Sequence, residues 1–103
     1  KAFKEMWGDD IVIGDVTNNA YLGPWLWKAA VEKAGSFDID KIKAVNGSGI
    51  EMTNAPEGYV RIHETNNHLY SKLRVGRARA DGQFDVVYES ELKEPDPFPK
   101  GYQ

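Results

Sequence analysis

The chain reads as an α/β unit in which helices come first and strands follow. Three observations point there. Apolar residues recur at helical spacing as far as Val45, alternation at a period of two takes over from Ile50, and the pair Asp81-Gly82 marks a hairpin between two strand-like runs.

The elements follow in order. Ala2, Phe3, Met6 and Trp7 share one face of a short helix over Lys1 to Trp7, and Gly8 supplies its stop. A short apolar run, Ile11 to Ile13, comes next. Thr17, Asn18 and Asn19 are capping types ahead of a long helix through Trp25, Leu26, Ala29 and Ala30, closed by Gly35. Pro24 removes one hydrogen bond inside it, so the expected helix starts near Asn18 and bends at the proline. Asp38 caps a shorter helix whose Ile39, Ile42 and Val45 share a face, and Gly47 ends it.

Pro56 and Gly58 make a turn into a strand, Tyr59 to His63, with Val60 and Ile62 on one side. Asp81-Gly82 as a two-residue type I′ turn sets the hairpin register between Leu73–Ala80 and Gln83–Glu89. That register puts Leu73, Val75, Phe84, Val86 and Tyr88 on one face with the stems of Arg77 and Arg79. Arg74 lies opposite Glu89 on the other. Pro95, Pro97 and Pro99 make an extended tail that cannot donate to a sheet. The expected division is a single segment, with 1–53 helical, 54–70 strand and connection, and 71–103 hairpin and tail.

Composition narrows the function. At 103 residues the chain is one domain or part of one. Thirteen basic residues against sixteen acidic ones leave a net charge of −3, without the basic excess that steers a protein to nucleic acid or anionic membrane. There is no cysteine, hence no disulfide and no thiolate chemistry. The first residue, Lys1, falls inside a helical pattern without a cap, and a fragment or processed product is expected.

Candidate chemistry is sparse. His63 and His68 are the two histidines, and their spacing fits no metal motif; solvated or hydrogen-bonding roles are expected of them. The carboxylate pairs Asp9/Asp10, Asp38/Asp40 and Glu89/Glu91 read as caps and solvated edges. Asn46-Gly47-Ser48-Gly49 lacks the Lys-Ser/Thr ending of a phosphate loop, although its first three residues form a glycosylation sequon. Arg74, Arg77 and Arg79 face Asp81, Asp85 and Glu89 across the hairpin, as on a charge-compensated edge. No nucleophile stands beside a base, so no enzyme, cofactor or metal is expected.

The best candidate site is Asn18, Asn19, Tyr21 and Trp25. Amides donate and accept, Tyr21 adds a hydroxyl, and aromatic faces exclude water, which together suit a small polar ligand. The competing reading is plain packing, with Trp25 and Trp27 buried between helix and sheet and one asparagine serving as cap.

A resemblance bears on this choice. Ala20-Tyr21-Leu22-Gly23, Leu26 to Gly35, Ala55-Pro56-Glu57-Gly58, Asn66-Asn67-His68-Leu69, Asp81-Gly82-Gln83-Phe84 and Pro95-Asp96-Pro97 occur in an order that runs over nearly the whole chain. In this the chain resembles the C-terminal part of a periplasmic solute-binding protein, in the branch serving urea and short-chain amide ABC transporters. That branch also includes cytoplasmic amide sensors. The resemblance implies a portion of a type I periplasmic-binding-protein fold, two lobes joined by three crossovers around a solute. The helices would cover the first lobe's sheet, Asn66 to Leu69 would lie at the last crossover, and the hairpin would join the second lobe. It places Asn18, Asn19 and Tyr21 at the cleft by position. Many relatives in the urea branch carry an acid where Asn19 stands, and a neutral amide is the weaker acceptor for paired N–H groups.

The implied partners are a small-molecule solute, a membrane permease and the N-terminal remainder of the same protein. The implied location is periplasmic or extracellular, at the membrane through the transporter. The fragment alone is expected to self-associate. The other classes are an amide-sensing regulator on the same scaffold and a stand-alone protein-interaction module.

Overall fold

A computed structural model describes residues 1–102. Three helices precede four strands, so the mixed α/β class and its helix-then-strand order are as expected. The helices are α1 (Ala2–Trp7), α2 (Asp15–Ala34) and α3 (Ile39–Asn46). The strands β1 (Glu51–Ala55), β2 (Gly58–Ile62), β3 (Leu69–Ala78) and β4 (Phe84–Lys93) form one antiparallel sheet in the order β1-β2-β3-β4.

Helix α2 starts earlier than expected. Gly14, in an extended conformation, is its N-cap, and Asp15 in the first turn sits favourably against the helix dipole. The amides at 18 and 19 are therefore inside the helix and not at its cap. The helix continues through Pro24, which is exposed, as is Ala20, so the carbonyl that loses its intrahelical partner can meet water. Gly35 closes α2 in the left-handed conformation at φ 62°, its N–H reaching the Val31 carbonyl. Asp38 caps α3 as expected, accepting from the Lys41 N–H at 3.1 Å.

Strand β1 lies in the stretch where the alternation expected from Ile50 begins, although the expected division left residues up to 53 with the helices. The alternation carries from Ile50 to Met52 and then fails, only Met52 and Ala55 of the strand leaving the solvent, because a register shift between them breaks the period. Strand β2 pairs with β1 on one side. On the other it meets β3 through two residue pairs only, Arg61↔Tyr70 and Ile62↔Leu69.

The hairpin is present, but its turn differs. Arg79 pairs with Gln83, and the three intervening residues form the loop, with the Gly82 N–H on the Arg79 carbonyl. A type I′ turn needs two positive φ angles; Gly82 has one, at 80°, and Asp81 does not. Instead an Asp81 carboxylate oxygen accepts from the Gln83 N–H. The register near the turn therefore slips by one residue, giving Ala78↔Phe84, Arg77↔Asp85 and Gly76↔Val86. One extra residue in β4, Val87, then restores Val75↔Tyr88 and the expected Arg74↔Glu89. Phe84 and Val86 consequently share a face with Gly76 and Ala78, away from Val75 and Tyr88.

The core lies between α2 and the first two strands. Leu22, Leu26 and Ala30, each on the same stripe of α2, meet Ile50, Ala55 and Val60. Ile42 and Val45 of α3 pack against this cluster from one side, and Met52, Ile62 and Leu69 from the sheet. The distal part of β3–β4 projects from this body. The radius of gyration, 16.3 Å, exceeds the roughly 13 Å of a compact chain of this length.

Candidate functional site

The four residues singled out from sequence divide between two sides of α2. Asn19 lines an open groove of about 550 Å³ between α2 and the sheet, with Asp15, Leu22, Gly23 and Leu26 from the helix. Glu57 of the β1–β2 turn, Val60 and Ile62 of β2, and Asn67, His68, Leu69 and Ser71 from the β2–β3 connection and β3 complete it. Tyr21 and Trp25 instead line a second, shallower groove of about 460 Å³ with Lys28, Ala29, Glu32, Glu51, Met52 and Asn54. Asn18 stands between the two, half-buried, its amide donating to Glu57 Oε1 at 3.2 Å.

The separation follows from helix geometry. Residues 19, 22, 23 and 26 fall on one stripe at i, i+3, i+4 and i+7, whereas 21, 25 and 28 fall on the next. Trp25 and Trp27 are both about half exposed, so neither is the buried interface residue that plain packing requires. Lys28 Nζ lies 5.4 Å from the Trp25 ring centre, and the Tyr21 and Trp25 rings are 6.2 Å apart.

The first groove has an apolar floor, Leu22, Leu26, Val60, Ile62 and Leu69, and a polar rim. At the rim Asn19 Nδ2 donates to Asp15 Oδ2 at 3.3 Å, so a carboxylate stands one turn before the amide. Ser71 Oγ donates to Glu57 Oε2 at 3.4 Å. Asn67 takes φ 60°, the one non-glycine residue with positive φ among the described residues. Glu57, Asn67, His68 and Ser71 escaped the sequence reading as site residues because each arrives from a different turn or strand. Their signals, Pro56-Glu57-Gly58 and Asn66-Asn67-His68, showed there only as turn punctuation and family motif.

His63 has the hydrogen-bonding role expected of it. Its Nδ1 accepts from the Thr65 N–H at 3.2 Å, which leaves Nε2 to donate to Glu94 Oε1 at 3.0 Å. The ring stacks on Tyr70, with Arg61 on that ring as well. Asn66 adds a second tie, from its amide to the Pro95 carbonyl at 3.0 Å. Hydrogen bonding to its own backbone N–H, followed by the Arg61 charge, holds the Glu64 carboxyl below its usual range. Burial and the Glu64 charge push the Tyr70 phenol up. This network fastens the β2–β3 connection to the chain leaving β4; it is a brace for one wall of the groove. Among the described residues no three His, Cys, Asp or Glu side chains cluster as a metal would need.

Compared with known proteins, the whole chain, residues 1–103, matches the family model described as a periplasmic binding protein domain. The chain belongs to the periplasmic binding protein family. A relative of this family member is a protein named limonene hydroxylase from Geobacillus stearothermophilus, 36% identical over 95 residues. That match covers 92% of the chain but only 17% of the relative, so the chain spans a small part of the protein it resembles. No helix among the described residues is long and apolar enough to cross a membrane.

Proposed function

We propose that the chain supplies one wall of the solute cleft in an ABC-importer binding protein, and that the solute is a small polar compound of the urea, amide or amino-acid-like kind. The observation that carries this reading is the open groove beside α2, with its apolar floor and a rim of Asp15, Asn19, Glu57, Asn67 and Ser71. A small ligand pocket has this make-up, few convergent polar groups over an apolar base. Asp15, hydrogen-bonded to Asn19, offers a carboxylate close to the position where relatives in the urea branch carry one. Asn18, Asn19, Tyr21 and Trp25 remain the proposed contact residues, Asn19 in the groove, Asn18 at its edge, and Tyr21 and Trp25 in the neighbouring one.

Function follows from closure. Ligand contacts made by both lobes favour the closed state by the difference in affinity between closed and open forms, and the closed form is what a permease at the membrane receives. No bond is made or broken. The hydroxylase name is not carried over, since the matched stretch is a minor part of that protein. A terpene in this groove would also strand the rim's polar groups without partners, each at a cost of about 1–3 kcal/mol.

Calorimetric titration tests the reading. The full-length protein is expected to bind at least one of urea, acetamide and leucine at micromolar concentration, and the 103-residue chain alone none of them, because a single wall cannot enclose a ligand. Micromolar binding to the isolated chain would contradict the proposal. The isolated chain is further expected to self-associate through Trp7, Trp27 and the hairpin residues Phe84 and Val86, all more than half exposed. A single monomeric species in sedimentation at high concentration speaks against that.

A further inference from the structure

The hydrogen-bonding inventory of the groove is lopsided. Several donors at or beside its rim are engaged with its carboxylates: the Asn19 amide on Asp15, and the Asn18 amide and Ser71 hydroxyl on Glu57, while the Asn67 amide and the His68 ring also line it. What remains on offer is mainly lone pairs, on two carboxylates and on the Asn19 amide oxygen. The two carboxylates approach from different elements, the first turn of α2 and the β1–β2 turn. Neither forms an ion pair among the described residues, and no lysine or arginine lines the groove. Arg74, the nearest cation by contact, reaches only the Glu57 backbone carbonyl at 2.7 Å and gives its charge to Glu89. His68 is the one lining side chain able to carry a positive charge.

We propose that this groove takes a small organic cation rich in N–H groups, of the amidinium or guanidinium class, in preference to neutral amides and to amino acids. The inference rests on the solute-binding reading above and moves its solute from the neutral amide to the cationic isostere. A planar cation places N–H groups against Asp15 and Glu57 in charge-assisted hydrogen bonds, while its flat face lies over the partly exposed Ile62 and Leu69. A ligand carboxylate would meet two like charges at the same rim.

Matched pairs of almost identical shape separate charge from size. Guanidinium against urea, and acetamidinium against acetamide, are titrated into the full-length protein at low and at physiological salt, with leucine as the carboxylate probe. Each cation is expected to bind at least tenfold more tightly than its neutral isostere, with the preference shrinking as salt rises. Glu57→Gln and Asp15→Asn are each expected to reduce that preference severalfold, the cation losing more affinity than its neutral isostere. Equal or tighter binding of urea and acetamide, or of leucine, overturns the cation assignment but leaves the solute-binding reading standing. A cation preference that survives in both variants overturns the roles given to Asp15 and Glu57. Should Glu57→Gln fail to fold, the exposed Asp15→Asn decides alone. No binding of any probe overturns the solute-binding reading and this inference together.

Discussion

The body built from α2, α3, β1 and β2 and the arm built from β3–β4 are held together by different physics. In the body, six apolar residues are buried, Leu22 and Val60 almost completely, so stability comes from surface removed from water. Strand β4 has one buried residue, Ser90, whose hydroxyl accepts from the Leu73 N–H at 2.9 Å. The rest of the arm relies on its backbone ladder and on exposed ion pairs such as Arg74–Glu89 at 2.6 Å and Arg79–Asp85 at 3.2 Å. A long regular hairpin is thus not the stable part of this molecule. The less regular half is, because that is where the helix has a sheet to cover.

Truncation of the core gives the largest contrast. Leu22→Ala is expected to cost about 3 kcal/mol in urea denaturation of the 103-residue chain. Val86→Ala, at a site 60% exposed, is expected to change stability by less than about 0.5 kcal/mol. Comparable losses at the two sites would mean that the arm is packed as well as the body.

Two glycines sharpen the comparison. At Gly76 an added Cβ would come within 3.1 Å of Phe84 Cβ across the slipped register, and Gly76→Ala should destabilise by about 1 kcal/mol. At Gly23, inside α2, nothing lies within 4 Å, and Gly23→Ala should stabilise by about 0.5–1 kcal/mol. Opposite signs in thermal melts are the expected result. A neutral Gly76→Ala would instead favour the two-residue turn and its register.

Acid gives a smaller effect, felt in the arm and, through Glu64, in the β2–β3 connection. Hydrogen bonds from Arg74 and then Lys72 hold the Glu89 carboxyl below its usual range, and Arg79 does the same for Asp81. A folded-state value below the unfolded one contributes stability that is complete above the ordinary carboxylate range and is lost as pH falls through the lowered values. Amide exchange in β3–β4, corrected for intrinsic rates, should accelerate modestly between pH 5 and pH 3 while that of α2 holds. Uniform behaviour of both regions would contradict the assignment.

The smallest expected difference lies in salt. Molar sodium chloride should loosen the exposed pairs of the arm and leave the body unchanged, read as amide chemical shifts around Arg74 and Arg79.

How much of this was visible in the chain depends on how local each determinant is. Gly35, Asp38 and Asp81-Gly82 act within a few residues, so the two longer helices and the existence of the hairpin were legible. Strand β1 was legible only as the onset of alternation at Ile50, because its broken period and polar residues become a strand only beside β2. The slip at the turn was equally hidden, since Asp-Gly serves a two-residue and a three-residue loop alike, and the extra Val87 cancels the slip further down. At the candidate site, Asn19 was legible as a polar residue on α2. Glu57, Asn67, His68 and Ser71 were not placed beside it, because Glu57 arrives on the β1–β2 turn and the other three on the β2–β3 connection and the start of β3.

The extra residue at Val87 has one more effect. It turns Phe84 and Val86 to one side of the ribbon and Val75 and Tyr88 to the other, so both broad surfaces are oily. A blade of that kind cannot be shielded by resting on a flat neighbour. Drying it takes a slot that closes over both sides at once.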